Sequence, residues 1–199
     1  MRQPLILIAT ALLFQFCSKA NKKNEEQKKE VVTEKTFEVK EFLITPKSIG
    51  FARLGETMAD FKQAYKNCDL TTVPVWNYCV DGGGNGILVS RGKEKLLFVW
   101  TMQGNDSIHS ITGLNKHFQT KEGLGPTTSV GQLIKHYPSL TLVNDMLCEG
   151  LEFFREPKTR IYFEFVSNDS TRIGRYTNEI NISVPFDTIR RVDRIVISK

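Results

Sequence analysis

The sequence predicts an α+β fold made of two repeats, each a short helix followed by a four-stranded antiparallel meander. Three observations carry this expectation. Two amphipathic helix signals stand 72 residues apart: Thr57 and Asp60 form a T-x-x-D cap over the stripe Met58, Phe61 and Tyr65, and Ser129 and Gln132 form S-x-x-Q over Val130, Leu133 and Tyr137. After each come runs rich in Val, Ile, Phe and Trp, broken by Gly, Asn and Asp, which is the pattern of strands joined by turns. The 199 residues are 40% hydrophobic and 25% charged, a globular balance that excludes a collagen, a coiled coil or a wholly disordered chain.

The chain opens with an address. Met1-Arg2 precedes an apolar run over residues 5–16, interrupted only by Thr10 and Gln15, and the run stops at Cys17. That is too short to span a bilayer as a helix but suits the apolar region of an export signal. A cysteine at its end has the geometry of a lipoprotein signal, so residues 1–17 are read as such a signal with Cys17 as the lipidation site; the competing reading is an ordinary signal peptide. The stretch Leu13-Phe14-Gln15-Phe16-Cys17 resembles the loose lipoboxes of Bacteroidetes-type lipoproteins, with Phe16 where a small residue is usual.

Residues 18–35 hold six Lys and four Glu with no aromatic residue, too little apolar surface to offset the entropy of ordering. They read as a disordered tether. Of the net charge of +5, Arg2 carries +1 and the tether +2, leaving +2 for residues 36–199. A nearly neutral domain argues against nucleic acid, which a concentrated basic face would serve.

The first repeat is expected over residues 36–118, its helix followed by strands at 73–80, 87–90, 95–102 and 107–114. The second is expected over 119–199, with strands at 140–147, 151–155, 160–166 and 191–198. Leu54-Gly55-Glu56-Thr57 and Leu124-Gly125-Pro126-Thr127 open the two helices alike. On this order of elements the chain is similar to the tandem helix-plus-sheet repeat of the beta-lactamase inhibitor protein family. The L-G-x-T entry resembles that of the small SmpA/OmlA-type outer-membrane assembly lipoproteins. The phrase Phe118-Gln119-Thr120-Lys121-Glu122-Gly123-Leu124-Gly125 resembles one found in uncharacterised bacterial envelope lipoproteins. These resemblances imply a non-enzymatic fold used for protein contacts and transfer no binding residue.

Export favours disulfides. With Cys17 assigned to lipid, Cys68, Cys79 and Cys148 remain; the spacing and the repeat together favour a Cys68–Cys79 bridge with Cys148 a buried thiol, against three reduced thiols. Residues 81–86, Asp-Gly-Gly-Gly-Asn-Gly, fail both as a dinucleotide fingerprint and as a calcium loop, and read as a turn between strands. His109, His117 and His136 have no metal-ligand spacing, and neither metal nor cofactor is expected. Trp76 and Trp100 read as sheet-packing residues.

The repeats differ at residues 167–190, a long excursion in the second where the first has a short turn. Arg172, Arg175, Tyr176 and Phe186 make it the candidate partner surface, since Arg and Tyr favour interface hot spots. Replacing residues 168–187 by a turn is accordingly expected to spare folding and weaken partner binding. No catalytic residue is singled out. The function expected is that of a non-catalytic envelope lipoprotein, held to a membrane, the outer one favoured, by its lipid, and binding a protein or another envelope component. The alternative is an envelope hydrolase with an unrecognised site.

Overall fold

A computed structural model describes residues 39–156, 158–176, 182–183 and 187–199. The expected signal, Cys17 and the tether lie outside these residues. A 3-10 turn, Val39–Phe42, leads into a small antiparallel sheet of three two-residue strands, β1 (Ile44–Thr45), β2 (Ser48–Ile49) and β3 (Ala52–Arg53). Helix α1 (Met58–Ala64) follows, then β4 (Asp69–Pro74), β5 (Asn85–Arg91), β6 (Glu94–Thr101) and β7 (Ile108–Gly113). Helix α2 (Val130–His136) precedes β8 (Leu142–Asn144), β9 (Leu151–Glu156), β10 (Ile161–Val166), β11 (Ile182–Ser183) and β12 (Arg194–Ser198). Strands β4 to β12 form one nine-stranded sheet in the order β11-β8-β9-β10-β12-β7-β6-β5-β4, antiparallel at each pairing.

The two-repeat α+β expectation is therefore corrected. The fold is mostly β: one continuous nine-stranded sheet and a separate three-stranded one, with two helices of only seven residues each. The strand expected at 73–80 fails for a physical reason. β4 starts earlier, at Asp69, and ends at Pro74, after which Val75–Tyr78 turns as a 3-10 helix and leaves the sheet. Proline has no N–H for a further rung of a ladder. The apolar spacing of Val75, Tyr78 and Val80 reflects packing onto the sheet's face, in a cluster with Phe98 and Trp100.

The helices begin where their caps dictate. The Thr57 hydroxyl accepts from the Asp60 N–H, and Ser129 with Gln132 forms a complete capping box. Phe61, Val130 and Leu133 are fully buried, with Tyr65 nearly so, and they pack with Ile44, Ile49 and Ala52 onto one face of the large sheet. That inner face supplies Val89, Leu97, Val99, Ile111, Phe154, Phe163, Phe165, Ile195 and Ile197 to the core.

Candidate functional site

Side chains alternate across a strand, so the residues between the core positions point to the opposite, outer face. On β6, Leu97 and Val99 face the main core, whereas Phe98 and Trp100 join Val75 in a second cluster. What covers that cluster is the segment 75–84, a strap laid over the outer face. Tyr78 stacks on Phe98, ring centroids 4.1 Å apart and planes 12° from parallel. The Tyr78 carbonyl accepts a hydrogen bond from Arg194 Nη2 of β12 at 3.3 Å. Midway the strap is fastened by a disulfide from Cys79 to Cys148, in the β8–β9 turn, with Cα atoms 5.6 Å apart.

The expected Cys68–Cys79 bridge is thus corrected. Cys79 pairs with Cys148, and among the described residues Cys68 is the free thiol, receiving a long 3.8 Å contact from Arg91 Nη2. The error came from placing Cys79 inside a strand. Once the chain leaves the sheet after Pro74, it crosses the outer face and reaches the far half.

Beyond the strap the outer face is open. β9 presents Phe153 and Arg155, β10 presents Tyr162 and Glu164, and β12 presents Val196. The Phe153 and Tyr162 rings meet edge to face at 5.7 Å, and the Arg155 guanidinium carbon lies 5.5 Å from the Tyr162 ring centroid. Phe153, Tyr162, Glu164 and Val196, with Cys79 and Asp145, line a cleft of about 160 Å³. At its base Arg194 Nε donates to Glu164 Oε2 at 2.5 Å, both residues under a tenth exposed. Burial drives the Glu164 carboxyl upward, and the Arg194 charge opposes it. With one guanidinium nitrogen on Glu164 and another on the strap, the pair pins Tyr78 to the sheet.

Two further hollows flank the sheet. A cavity of about 330 Å³ lies between residues 82–85 and 101–105, over the edge of Trp100. Gly82 packs so close to that ring that a Cβ would stand 3.3 Å from it. The second, about 270 Å³, lies at the root of the long excursion between Gly150, Ser167, Asn168, Asp169 and Arg172.

The residues named as a candidate partner surface are separated by the structure. Arg172 lines the second hollow, 3.8 Å from Asp169. Arg175 is exposed, its N–H donating to Ser183 Oγ. Tyr176 turns inward, and its hydroxyl donates to Glu152 Oε1 at 2.9 Å. Burial, this bond and the Glu152 charge all push the Tyr176 phenol upward. Phe186 lies outside the described residues. Trp100 is buried and Trp76 is 71% exposed, so only Trp100 packs as expected. His109 lies edge-on to Trp100, His117 against Phe42 and His136 against Tyr137. Among the described residues no cluster of three or more His, Cys, Asp or Glu is arranged for a metal, and no helix is long and apolar enough to cross a membrane.

Sequence reasoning missed Phe153, Arg155, Tyr162 and the Glu164–Arg194 pair. The alternation of Tyr162, Glu164 and Val166 against Ile161, Phe163 and Phe165 was the available signal, because aromatic and charged residues on the non-core face of a central strand ask for a cover or a partner.

The architecture belongs to the class of mostly antiparallel β-sheet proteins. No protein-family model and no curated protein matches the chain. In fold it is similar to the crystal structure of the uncharacterized protein yfeY from Escherichia coli, with a TM-score of 0.54 at 12% identity, over 78% of this chain and 99% of that one.

Proposed function

We propose that the chain is a non-catalytic envelope lipoprotein that binds a protein or another envelope component through the outer face of its sheet. The observation that carries the binding role is the open surface of Phe153, Tyr162 and Arg155 beside the strap. An aromatic pair with a guanidinium over one ring combines apolar area with a fixed charge, the makeup of an interface hot spot. The anchoring role rests on the apolar run that stops at Cys17 and on the charged tether after it. In this reading lipid on Cys17 holds the domain to a membrane, the outer one favoured.

Chemical crosslinking in envelope membranes, with the native tether retained, tests the binding role. Phe153→Ala with Tyr162→Ala is expected to lower partner capture at least tenfold while the melting transition stays cooperative. Undiminished capture by a folded double variant rejects this face as the binding surface. Cys17→Ser is expected to abolish metabolic lipid labelling and release the protein from membranes, and persistent labelling rejects the anchor.

A further inference from the structure

The strap is fastened at a corner with an unusual surface. Seven large hydrophobic side chains are exposed among the described residues, and three of them adjoin the bridged cysteines. Trp76, 71% exposed, lies three residues before Cys79; Met146 and Leu147, 73% and 79% exposed, immediately precede Cys148. Grouped exposed apolar side chains mark a place where another molecule sits. Both cysteines are themselves partly exposed, and Cys79 forms part of the open cleft wall.

The strap is also built to move. Pro74 ends β4 at its entry. At its exit Gly82, Gly83 and Gly84 take φ of 137°, 68° and 86°, and no heavy atom lies within 4 Å of a Cβ built on Gly83 or Gly84. Three such glycines make a hinge that few other residues allow. Cys79 holds φ of 58°, a left-handed conformation that a side-chain-bearing residue adopts at a cost and that the bridge helps to maintain. Between Pro74 and the bridge the strap is held by Val75, by the Tyr78–Phe98 stack and by the Tyr78 carbonyl on Arg194.

We propose that the Cys79–Cys148 bridge is a thiol–disulfide exchange site for a dithiol oxidoreductase, and that its reduction unlatches the strap from the outer face. A thiolate of the partner attacks one sulfur of the bridge, forming a mixed disulfide and expelling the other cysteine as a thiolate, which takes up a proton. The partner's second thiol then attacks the mixed disulfide. Two electrons and two protons have passed to Cys79 and Cys148, and the partner keeps the disulfide. Trp76, Met146 and Leu147 form the apolar collar on which the partner docks, which distinguishes a protein dithiol from a small one. The released strap uncovers Phe98 and Trp100, on the same face of the sheet as Phe153 and Tyr162. The exchange site does not depend on what that surface binds.

Reduced thioredoxin serves as the probe under native conditions, beside dithiothreitol at equal dithiol concentration. Differential alkylation of Cys79 and Cys148 is read by peptide mass mapping, and amide hydrogen exchange is followed in parallel. Thioredoxin is expected to reduce the bridge at least tenfold faster than dithiothreitol. The triple variant Trp76→Ser, Met146→Ser, Leu147→Ser is expected to lose that advantage while its dithiothreitol rate holds. Reduction is expected to raise exchange at least tenfold in residues 75–84 and leave β6 and β12 protected. Cys148→Ser, unlatched without any reductant, is expected to show the same exchange pattern. Equal rates with the two reductants, or an advantage that survives the triple variant, overturns the exchange site. A strap that stays protected after reduction and in Cys148→Ser overturns the unlatching, and so does a loss of protection that extends to β6 and β12.

Discussion

Glu152 is a charged residue with no solvent exposure, and its surroundings explain how the fold tolerates it. Its carboxylate accepts from the N–H groups of Ile173 and Gly174 and from the Tyr176 hydroxyl, so segment 173–176 is wrapped around it. Tyr176→Phe deletes one bond to a charged acceptor and is expected to cost about 1.5–3 kcal/mol, read from the denaturant midpoint. Arg194→Met strands the buried Glu164 carboxyl without its partner and is expected to cost about 3–5 kcal/mol; adding Glu164→Leu should recover most of it. Failure of the double variant to recover stability would mean that the pin on Tyr78, and not the buried charge, carries the effect. Glu156 supplies a pH signature. Burial pushes its carboxyl up, but hydrogen bonds from the Thr159 hydroxyl and N–H and the Lys158 N–H outweigh that, and its pKa lies below the usual value. A depressed carboxyl stabilises the fold above the ordinary glutamate range and loses that contribution as pH falls through its folded-state value. Glu156→Gln is therefore expected to be less stable at neutrality and to show a flatter acid limb in melting-temperature profiles.

At the scale of elements, the caps decide where the two short helices start. Thr57→Ala and Ser129→Ala are each expected to cost about 1 kcal/mol. The core stripe matters more: Phe61→Ala is expected to cost about 3–5 kcal/mol and Leu133→Ala about 2–5 kcal/mol, since both side chains are fully buried. These features were legible in the sequence because caps and stripes are local, written within one or two turns of chain. The strands at β5, β6, β9, β10 and β12 were legible for the same reason. The strap was not, because its apolar spacing imitates a strand and only the position of the sheet beneath it tells the two apart. The bridge partner was not either, because the pairing leaned on spacing and on a repeat that placed Cys79 inside a strand, whereas the chain there crosses the sheet to Cys148. In the long excursion the Arg and Tyr content was visible, but the destination of Tyr176 depends on Glu152, more than twenty residues earlier on β9. The expectation that residues 168–187 are dispensable changes accordingly. Replacing them removes buried Ile173 and the partners of Glu152, and the shortened protein is expected to lose its cooperative melting transition.

For the whole molecule, the Cys79–Cys148 bridge spans 69 residues and ties β8–β9 to the segment that follows β4 on the other half of the sheet. In the chain-entropy treatment a loop of that length stabilises by about 4 kcal/mol. Cys79→Ser with Cys148→Ser is expected to lower stability by about that amount, read from urea unfolding, while the inner core around Leu97, Phe163 and Ile195 keeps its packing.

The place of β12 governs how the molecule comes to be. Of the nine described strands of the large sheet it is the last in chain order and the middle one in space, pairing with β10 on one side and β7 on the other. The register joins Gly113 to Ile195, so the seam between the two halves is a contact of long sequence separation. During synthesis the two flanks exist before the strand that unites them, and each exposes an unpaired edge until it arrives. Closure of so distant a pairing is slow. A chain lacking residues 193–199 is expected to fail to fold, which refolding monitored by Trp100 fluorescence would reveal. Under the export reading proposed above, this late closure has a use: the chain stays extensible until β12 has been made.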